Sequence, residues 1–187
     1  MEIEAAQQEL RRAFLGGFVG QLVSGALWLT SAALAVWSTQ RSAIVFLVVA
    51  GFFIFPLTQL GLKLMGRVGS VARPNTLGSL GAQVAFVLPL SLPLVAAASL
   101  YRIDWFYPAF MVALGAHYLP FVFLYGMRMF AVLAALLWVS GFLLATRVEA
   151  GFSAGAWLTG LLLVVFAVLG RSLVLREEAR GTPDARV

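Results

Sequence analysis

The chain alternates between long apolar runs and short polar connections, and six of the runs are long enough to form membrane-spanning helices. They cover residues 13–37, 43–62, 80–100, 106–125, 129–146 and 153–175. About 20 residues, rising 1.5 Å each, cross a hydrocarbon core of roughly 30 Å. The pattern therefore predicts an all-α fold, a polytopic transmembrane bundle of six helices.

Polar segments flank this transmembrane domain on both sides. Residues 1–12 carry glutamates ahead of Arg11 and Arg12, which predicts a short helix at the cytoplasmic surface. Residues 176–187 contain Gly181 and Pro183 and are predicted to form a disordered cytoplasmic tail. The first apolar run exceeds the roughly 7–15 residues of a signal-peptide core, so it is predicted to remain as an uncleaved anchor.

Prolines fall inside three of the predicted spans. Pro56 lies in the second span, Pro89 and Pro93 lie in the third, and Pro120 lies in the fourth. Proline removes a backbone donor and clashes with the carbonyl four residues earlier. The third span is therefore predicted to be kinked or locally unwound, and the fourth is predicted to bend beside His117.

Composition excludes several classes of protein. Hydrophobic residues make up 61% of the 187 residues and charged residues 11%, which is too apolar for a soluble domain of this size. Without cysteine, neither a disulfide framework nor a thiolate metal site is available. The formal charge of +5 is distributed in small groups at the ends of apolar runs, a pattern typical of membrane orientation and not of nucleic-acid binding.

Basic residues indicate how the bundle is oriented. Both termini lie on the side of the membrane that carries ten of them, against three on the other side, and the positive-inside rule places that side in the cytoplasm. The ten are Arg11, Arg12, Lys63, Arg67, Arg73, Arg128, Arg171, Arg176, Arg180 and Arg186, and the three are Arg41, Arg102 and Arg147.

Aromatic and acidic residues mark the predicted outer boundary. An aromatic belt is predicted there, formed by Trp37, Tyr101, Trp105, Tyr107 and Trp157. The two acidic residues of the outer connections are predicted to pair in water with neighbouring arginines. These pairs are Asp104 with Arg102 and Glu149 with Arg147.

Small residues recur every four positions on the first and sixth spans. The two stripes consist of Gly16, Gly20 and Ser24, and of Gly151, Gly155 and Thr159. Such stripes let helix backbones approach closely. The Gln21 and Ser24 side chains on the first span are predicted to act as polar packing contacts.

Polar residues within the spans define a candidate site on the second, third and fourth helices. His117 and Arg128 share one face of the fourth helix, and Gln59 and Lys63 lie one turn apart on the second. One interpretation is a cytoplasm-facing pocket lined by Gln59, Gln83, His117 and Tyr118, with Lys63 and Arg128 at its mouth. Such a pocket would bind a small solute, including an anionic one, or a lipid head group. The other interpretation is that these side chains only hydrogen-bond between helices.

Two segments resemble a family of small, uncharacterised bacterial integral membrane proteins. The segments are R-P-N-T-L-G-S-L-G-A-Q and G-A-H-Y-L-P-F-V-F-L-Y. The resemblance is carried by Asn75, Leu77, Gly78, Gln83, Ala116, His117, Tyr118 and Pro120. It implies a bacterial six-helix fold in the inner membrane and no particular activity.

Two classes of function remain. The first is solute or lipid-headgroup binding and transport around His117, aided by the proline-broken helices. The second is a non-transporting accessory or sensory membrane subunit. No enzymatic activity, metal or other cofactor is predicted, because the spans contain no carboxylate or cysteine and a single histidine. The predicted partners are the lipid bilayer and either a second copy or another membrane subunit.

Overall fold

The computed structural model of the protein describes residues 2–181, and all regular secondary structure in them is helical. In chain order the α-helices are α1 (Ile3–Phe14), α2 (Phe18–Trp37), α3 (Gln40–Gly51), α4 (Ile54–Leu64), α5 (Thr76–Ala85), α6 (Val87–Tyr101), α7 (Phe106–Tyr118), α8 (Phe121–Tyr125), α9 (Met129–Thr146) and α10 (Ala154–Gly181). Short 3-10 turns, Leu15–Gly17 and Ile103–Trp105, precede α2 and α7.

Five helical stretches are long and apolar enough to cross a membrane. They are Ile3–Trp37, Thr76–Tyr101, Ile103–Tyr125, Met129–Thr146 and Ala154–Arg180. The second predicted span is instead a pair of shorter helices, α3 and α4, bent by 58°. The all-α prediction is confirmed, whereas the number of six spans holds only if this bent pair is counted as one.

The two ends of the bundle differ in what they carry. One end, which we call the α1 end, holds α1, the connections 65–75 and 126–128, and the last turns of α10. The other, which we call the opposite end, holds the connections 38–39, 102–105 and 147–153. The charged last turns of α10 follow Leu175 and lie beyond its apolar segment.

Close helix packing depends on glycines in two helix pairs. α2 packs along α10, where a Cβ at Gly25 would lie only 3.1 Å from the carbonyl oxygen of Gly160. α7 packs along α9, where a Cβ at Gly115 would lie 2.8 Å from the carbonyl oxygen of Ala134. Without side chains at these positions the backbones approach closely.

Neither Gly25 nor Gly160 belongs to the predicted stripes. Of those stripes, Gly16 lies at a backbone contact, since a Cβ there would lie 3.0 Å from the carbonyl oxygen of Gly170, whereas nothing lies within 4 Å of a Cβ at Gly151.

The helix breaks follow local backbone chemistry. The bend between α3 and α4 falls at Phe52 and Phe53, so Pro56 sits in the first turn of α4, where a missing N–H costs little. The third span is interrupted at Phe86, between α5 and α6, and Pro93 lies inside α6. Pro120 separates α7 from α8, yet Leu119 and Pro120 keep helical backbone angles.

Three predictions from the sequence are wrong. Residues 176–181 are helical, although the tail was expected to be disordered from Arg176, because Glu177 and Glu178 accept hydrogen bonds from arginines of other segments. Residues 182–187 of that predicted tail lie outside the described residues. Tyr107, expected in the aromatic belt, is fully buried and hydrogen-bonds to Ser31 with their oxygens 2.6 Å apart.

The third wrong prediction concerns the outer connections. Among the residues that the structure describes, the only ion pairs within 4.0 Å are Arg11 with Glu177 and Arg67 with Glu178. Asp104 and Glu149 therefore do not pair with Arg102 and Arg147. The guanidinium of Arg102 lies instead over the ring of Trp105, 5.7 Å from its centroid.

Candidate functional site

An unpartnered amide lies inside the bundle on α2. The Gln21 side chain is only 3% exposed, and neither its Nε2 nor its Oε1 atom has a hydrogen-bond partner. It lies beside the Tyr118 side chain of α7 but makes no well-aligned hydrogen bond to it. The sequence predicted polar packing contacts for Gln21 and Ser24, and both side chains are buried in the bundle.

Tyr118 and three other aromatic rings form a cluster. Tyr118 stacks on Phe130 with ring centroids 6.1 Å apart, and Phe130 stacks on Tyr125 at 5.4 Å. Phe121 lies 5.7 Å from Tyr125 and 5.6 Å from Phe130. This aromatic cluster of Tyr118, Phe121, Tyr125 and Phe130 joins α7, α8 and α9, and aromatic pairs of this kind contribute about 0.5–1.5 kcal/mol each.

His117 lies at the edge of the aromatic cluster and is partly buried. Its ring centroid is 5.1 Å from that of Phe121, and its Nδ1 atom is 3.1 Å from the carbonyl oxygen of Val84. Because a carbonyl oxygen can only accept, Nδ1 carries the proton and Nε2 remains an acceptor. Val84 is in the last turn of α5, so this hydrogen bond joins His117 to the point at which the third predicted span is interrupted.

The other predicted site residues do not gather around His117. The Gln59 amide donates to the carbonyl oxygen of Gly69 over 3.2 Å and so holds the connection after α4. Gln83 is exposed on the outer surface of α5, and Lys63 and Arg128 are exposed at the α1 end. Of the six predicted residues, His117 and Tyr118 are neighbours, with ring centroids 5.5 Å apart, and Gln59 and Lys63 lie one turn apart on α4.

A polar assembly that the sequence did not predict holds α1 in place. The Arg11 guanidinium donates to both carboxylate oxygens of Glu177, at 2.9 and 2.8 Å, and to the carbonyl oxygen of Tyr125 at 2.6 Å. The Glu9 carboxylate accepts from the backbone N–H of Ala72 and from the Asn75 amide, at 2.6 and 2.9 Å. α1 is thereby tied to α10, α8 and the connection before α5.

Asn75 is the centre of the attachment between α1 and α5. Its Oδ1 atom accepts from the backbone N–H of Leu77 over 3.1 Å and caps α5. Its Nδ2 atom donates to the carbonyl oxygen of Ala6, 3.0 Å away, as well as to Glu9. One buried side chain thus starts the third span and fixes the position of α1.

A second bidentate pair joins the connection after α4 to α10. Arg67 donates from Nη1 and Nη2 to the two carboxylate oxygens of Glu178, at 2.8 and 2.9 Å. These hydrogen bonds raise the pKa of Arg67, and those from Arg11 lower the pKa of Glu177. A carboxyl group with a lowered pKa contributes its stabilisation at neutral pH and loses it as the pH falls through that lowered value.

The chemistry of the candidate site is that of neutral hydrogen bonding. Gln21 offers an amide donor and acceptor, Tyr118 a hydroxyl group, and His117 a ring acceptor. Within residues 2–181 no group of three or more His, Cys, Asp or Glu side chains could hold a metal ion.

These features define an all-helical protein whose apolar helices are compatible with a multi-pass membrane protein. The chain belongs to DUF7010, described as a family of unknown function, whose model matches residues 3–172. Neither a curated protein nor a solved structure matches the chain.

Proposed function

We propose that the protein binds a small, uncharged polar solute inside the helix bundle, beside Gln21, and conducts it across the membrane. The observation that carries this proposal is the Gln21 amide, buried with both polar atoms unpartnered. Leaving such a group unpaired costs about 1–3 kcal/mol. A solute that both donates and accepts hydrogen bonds removes that cost.

The surroundings of Gln21 favour an uncharged solute. Tyr118 lies beside it, and both side chains are neutral hydrogen-bonding groups. Lys63 and Arg128, the basic residues expected at the mouth of a pocket, are exposed to the surroundings of the bundle. An anionic solute would therefore lack a buried counter-charge, which a charged group in a dry site requires.

The α1 end would face the cytoplasm of a bacterium, as the distribution of basic residues predicts. In that orientation α1 lies at the cytoplasmic end of the bundle, where it contacts α5 and α8 and hydrogen-bonds to α10.

A second candidate is a non-transporting accessory or sensory subunit, and a different observation favours it. His117 hydrogen-bonds to the carbonyl oxygen of Val84, and Gln59 to that of Gly69. Both side chains therefore hold chain segments together, which is the role that the packing interpretation assigns to them.

Permeability measurements separate the two candidates. The purified protein is reconstituted into liposomes, and uptake of urea and of glycerol is followed by stopped-flow light scattering. The proposal predicts faster uptake than in protein-free liposomes and a return to that background in Gln21→Leu, which removes both hydrogen-bonding atoms. Gln83→Leu is the matched control, because the same substitution on the outer surface of α5 leaves the site intact.

Two results would contradict the proposal. One is faster uptake that Gln21→Leu leaves unchanged, since conduction would then not involve the amide. The other is background uptake of both probes by folded wild-type protein, which would favour the accessory subunit.

A further inference from the structure

A cavity of about 390 Å³ lies at the opposite end of the bundle. It is formed by the turn before α7 and by the connection between α9 and α10. Its volume falls within the roughly 300–1,000 Å³ typical of small-molecule sites. The lining residues that matter here are Arg102, Asp104, Trp105, Arg147 and Glu149.

Charges of both signs line this cavity without pairing. No ion pair within 4.0 Å joins any of the four charged residues to another described side chain. Arg102 contacts the Trp105 ring, and the other three make no side-chain hydrogen bond within the described part of the chain. Two cations and two carboxylates around one space are therefore free to bind a ligand that carries both charges.

Aromatic residues at the same end indicate the environment of the cavity. Trp37 is 80% exposed and Tyr101 is 77% exposed, and both lie where helices of this end terminate. Exposed Trp and Tyr at helix ends are typical of the level of the lipid head groups. In a bilayer, an aromatic belt at this level would put the cavity at the depth of the lipid head groups.

We propose that this cavity binds a zwitterion that combines an ammonium group with a phosphodiester, the chemistry of an ethanolamine phospholipid head group. Arg102 and Arg147 would bind the phosphodiester, because guanidinium groups bind phosphate oxygens in bidentate geometry. Asp104 and Glu149 would accept hydrogen bonds from the ammonium group. The same chemistry occurs in the intact lipid and in the free water-soluble head group, and the experiment distinguishes these two sources.

Native mass spectrometry of the detergent-solubilised protein measures this binding. Three probes are titrated: a phosphatidylethanolamine, a phosphatidylglycerol with the same acyl chains, and glycerophosphoethanolamine. We expect the ethanolamine lipid to bind more tightly than the glycerol lipid. Arg147→Gln and Glu149→Gln should each weaken its binding roughly tenfold, since each removes a charged hydrogen-bonding partner.

Arg41→Gln is the matched control, because Arg41 is exposed at the same end but does not line the cavity. Binding of glycerophosphoethanolamine with the same dependence on Arg147 and Glu149 would identify the free head group as a sufficient ligand. Binding of the lipid alone would identify the membrane as the source. Either result supports the site.

Two outcomes would overturn the inference. The first is equal binding of both lipids with no effect of the cavity variants, which would show that the site does not recognise either charge. The second is tighter binding of phosphatidylglycerol, weakened by Arg147→Gln and strengthened by Glu149→Gln. That result would show a site for anions in which the carboxylate only repels the ligand.

Discussion

The Gln21 amide is buried within the helix bundle, and the proposed function depends on it. A glutamine in an apolar run is visible, and burial of its side chain is expected from the cost of exposing it to lipid. Whether a partner faces Gln21 depends on which residues of α7 and α10 lie at the same depth in the bundle. The spacing of residues along a single helix does not reveal which residues of other helices these are. The sequence therefore drew attention to His117, which has a partner, and assigned only packing to Gln21, which has none.

Tyr107 gives a residue-scale prediction with a matched control. Ser31 donates to the carbonyl oxygen of Ala43, so the Tyr107 hydroxyl donates to Ser31 in a fully buried site. Tyr107→Phe should lower the free energy of unfolding by about 1 kcal/mol, since it removes one hydrogen bond and leaves Ser31 satisfied. Thermal unfolding in detergent measures the change.

Tyr101→Phe is the control for that experiment, because Tyr101 is 77% exposed. We expect no measurable change in its unfolding temperature. Equal effects of the two substitutions would show that the buried hydroxyl contributes nothing specific.

At the element scale, α1 is the part of the molecule that the sequence described least well. Its existence was predicted from the polar residues 1–12, but its attachment was not. The acidic pair Glu177 and Glu178 follows the apolar run of α10. The basic pair Arg11 and Arg12 precedes the apolar run that leads into α2. Pairs of opposite charge at neighbouring ends of two apolar helices are a signal that could have indicated the contact between α1 and α10.

Breaking the pair between Arg11 and Glu177 tests the attachment of α1. Glu177→Gln removes the charge that accepts two guanidinium hydrogen bonds, so α1 should dissociate from α10 more often. Hydrogen–deuterium exchange of residues 3–14 is expected to rise roughly tenfold or more, because partly buried charged hydrogen bonds contribute roughly 1.5–3 kcal/mol. Glu4→Gln, at an exposed position of α1, should leave the exchange unchanged. An unchanged exchange rate in Glu177→Gln would mean that the other contacts hold α1 without this ion pair.

Glycine at the contact between α7 and α9 gives a second element-scale prediction. A Cβ at Gly115 would meet the carbonyl oxygen of Ala134 at 2.8 Å, so the two backbones must separate in Gly115→Ala. Overpacking of this kind costs about 1–3 kcal/mol. Gly81→Ala in α5 is the control, since nothing lies within 4 Å of its Cβ, and it should be neutral or stabilising. Equal unfolding temperatures for the two variants would contradict the packing described for α7 and α9.

For the whole molecule, the apolar periodicity predicted most of the architecture. The lengths of the apolar runs are sufficient to identify five long apolar helices. A long apolar segment in lipid must form a helix, because its backbone N–H and C=O groups can hydrogen-bond only to each other there. The sequence did not predict the bend between α3 and α4 at residues 51–53. Pro56 is the residue in this span that the sequence marks as a helix breaker, and the first turn of a helix tolerates proline. Local sequence locates a proline but does not show on which side of it the helix breaks.

The arrangement of the helices around each other was beyond the sequence. The predicted pocket required α4, α5 and α7 to present Gln59, Gln83 and His117 to one space. In the structure α4 packs on α2, whereas α5 and α6 pack on α7 and α8, so these side chains lie on different surfaces. Which helices become neighbours depends on close contacts such as those of Gly25 and Gly160, and these are visible only in three dimensions.

A polar solute can reach Gln21 only if water reaches it too. The chain contains no native cysteine, so Gln21→Cys carries a single reactive group. Methyl methanethiosulfonate reacts with the thiolate, which forms only where water is present. Ala32→Cys, at a fully buried position of the same helix, and Ser38→Cys, at its exposed end, provide the dry and wet references.

The most direct measurement is therefore the labelling rate of Gln21→Cys in reconstituted membranes, compared with those two references. We expect a rate well above that of Ala32→Cys and closer to that of Ser38→Cys, because a site that binds a polar solute must also admit water. A rate as slow as that of Ala32→Cys in folded protein would contradict it. Gln21 would then be an unpaired amide in a dry core, and the protein would be better described as an accessory subunit.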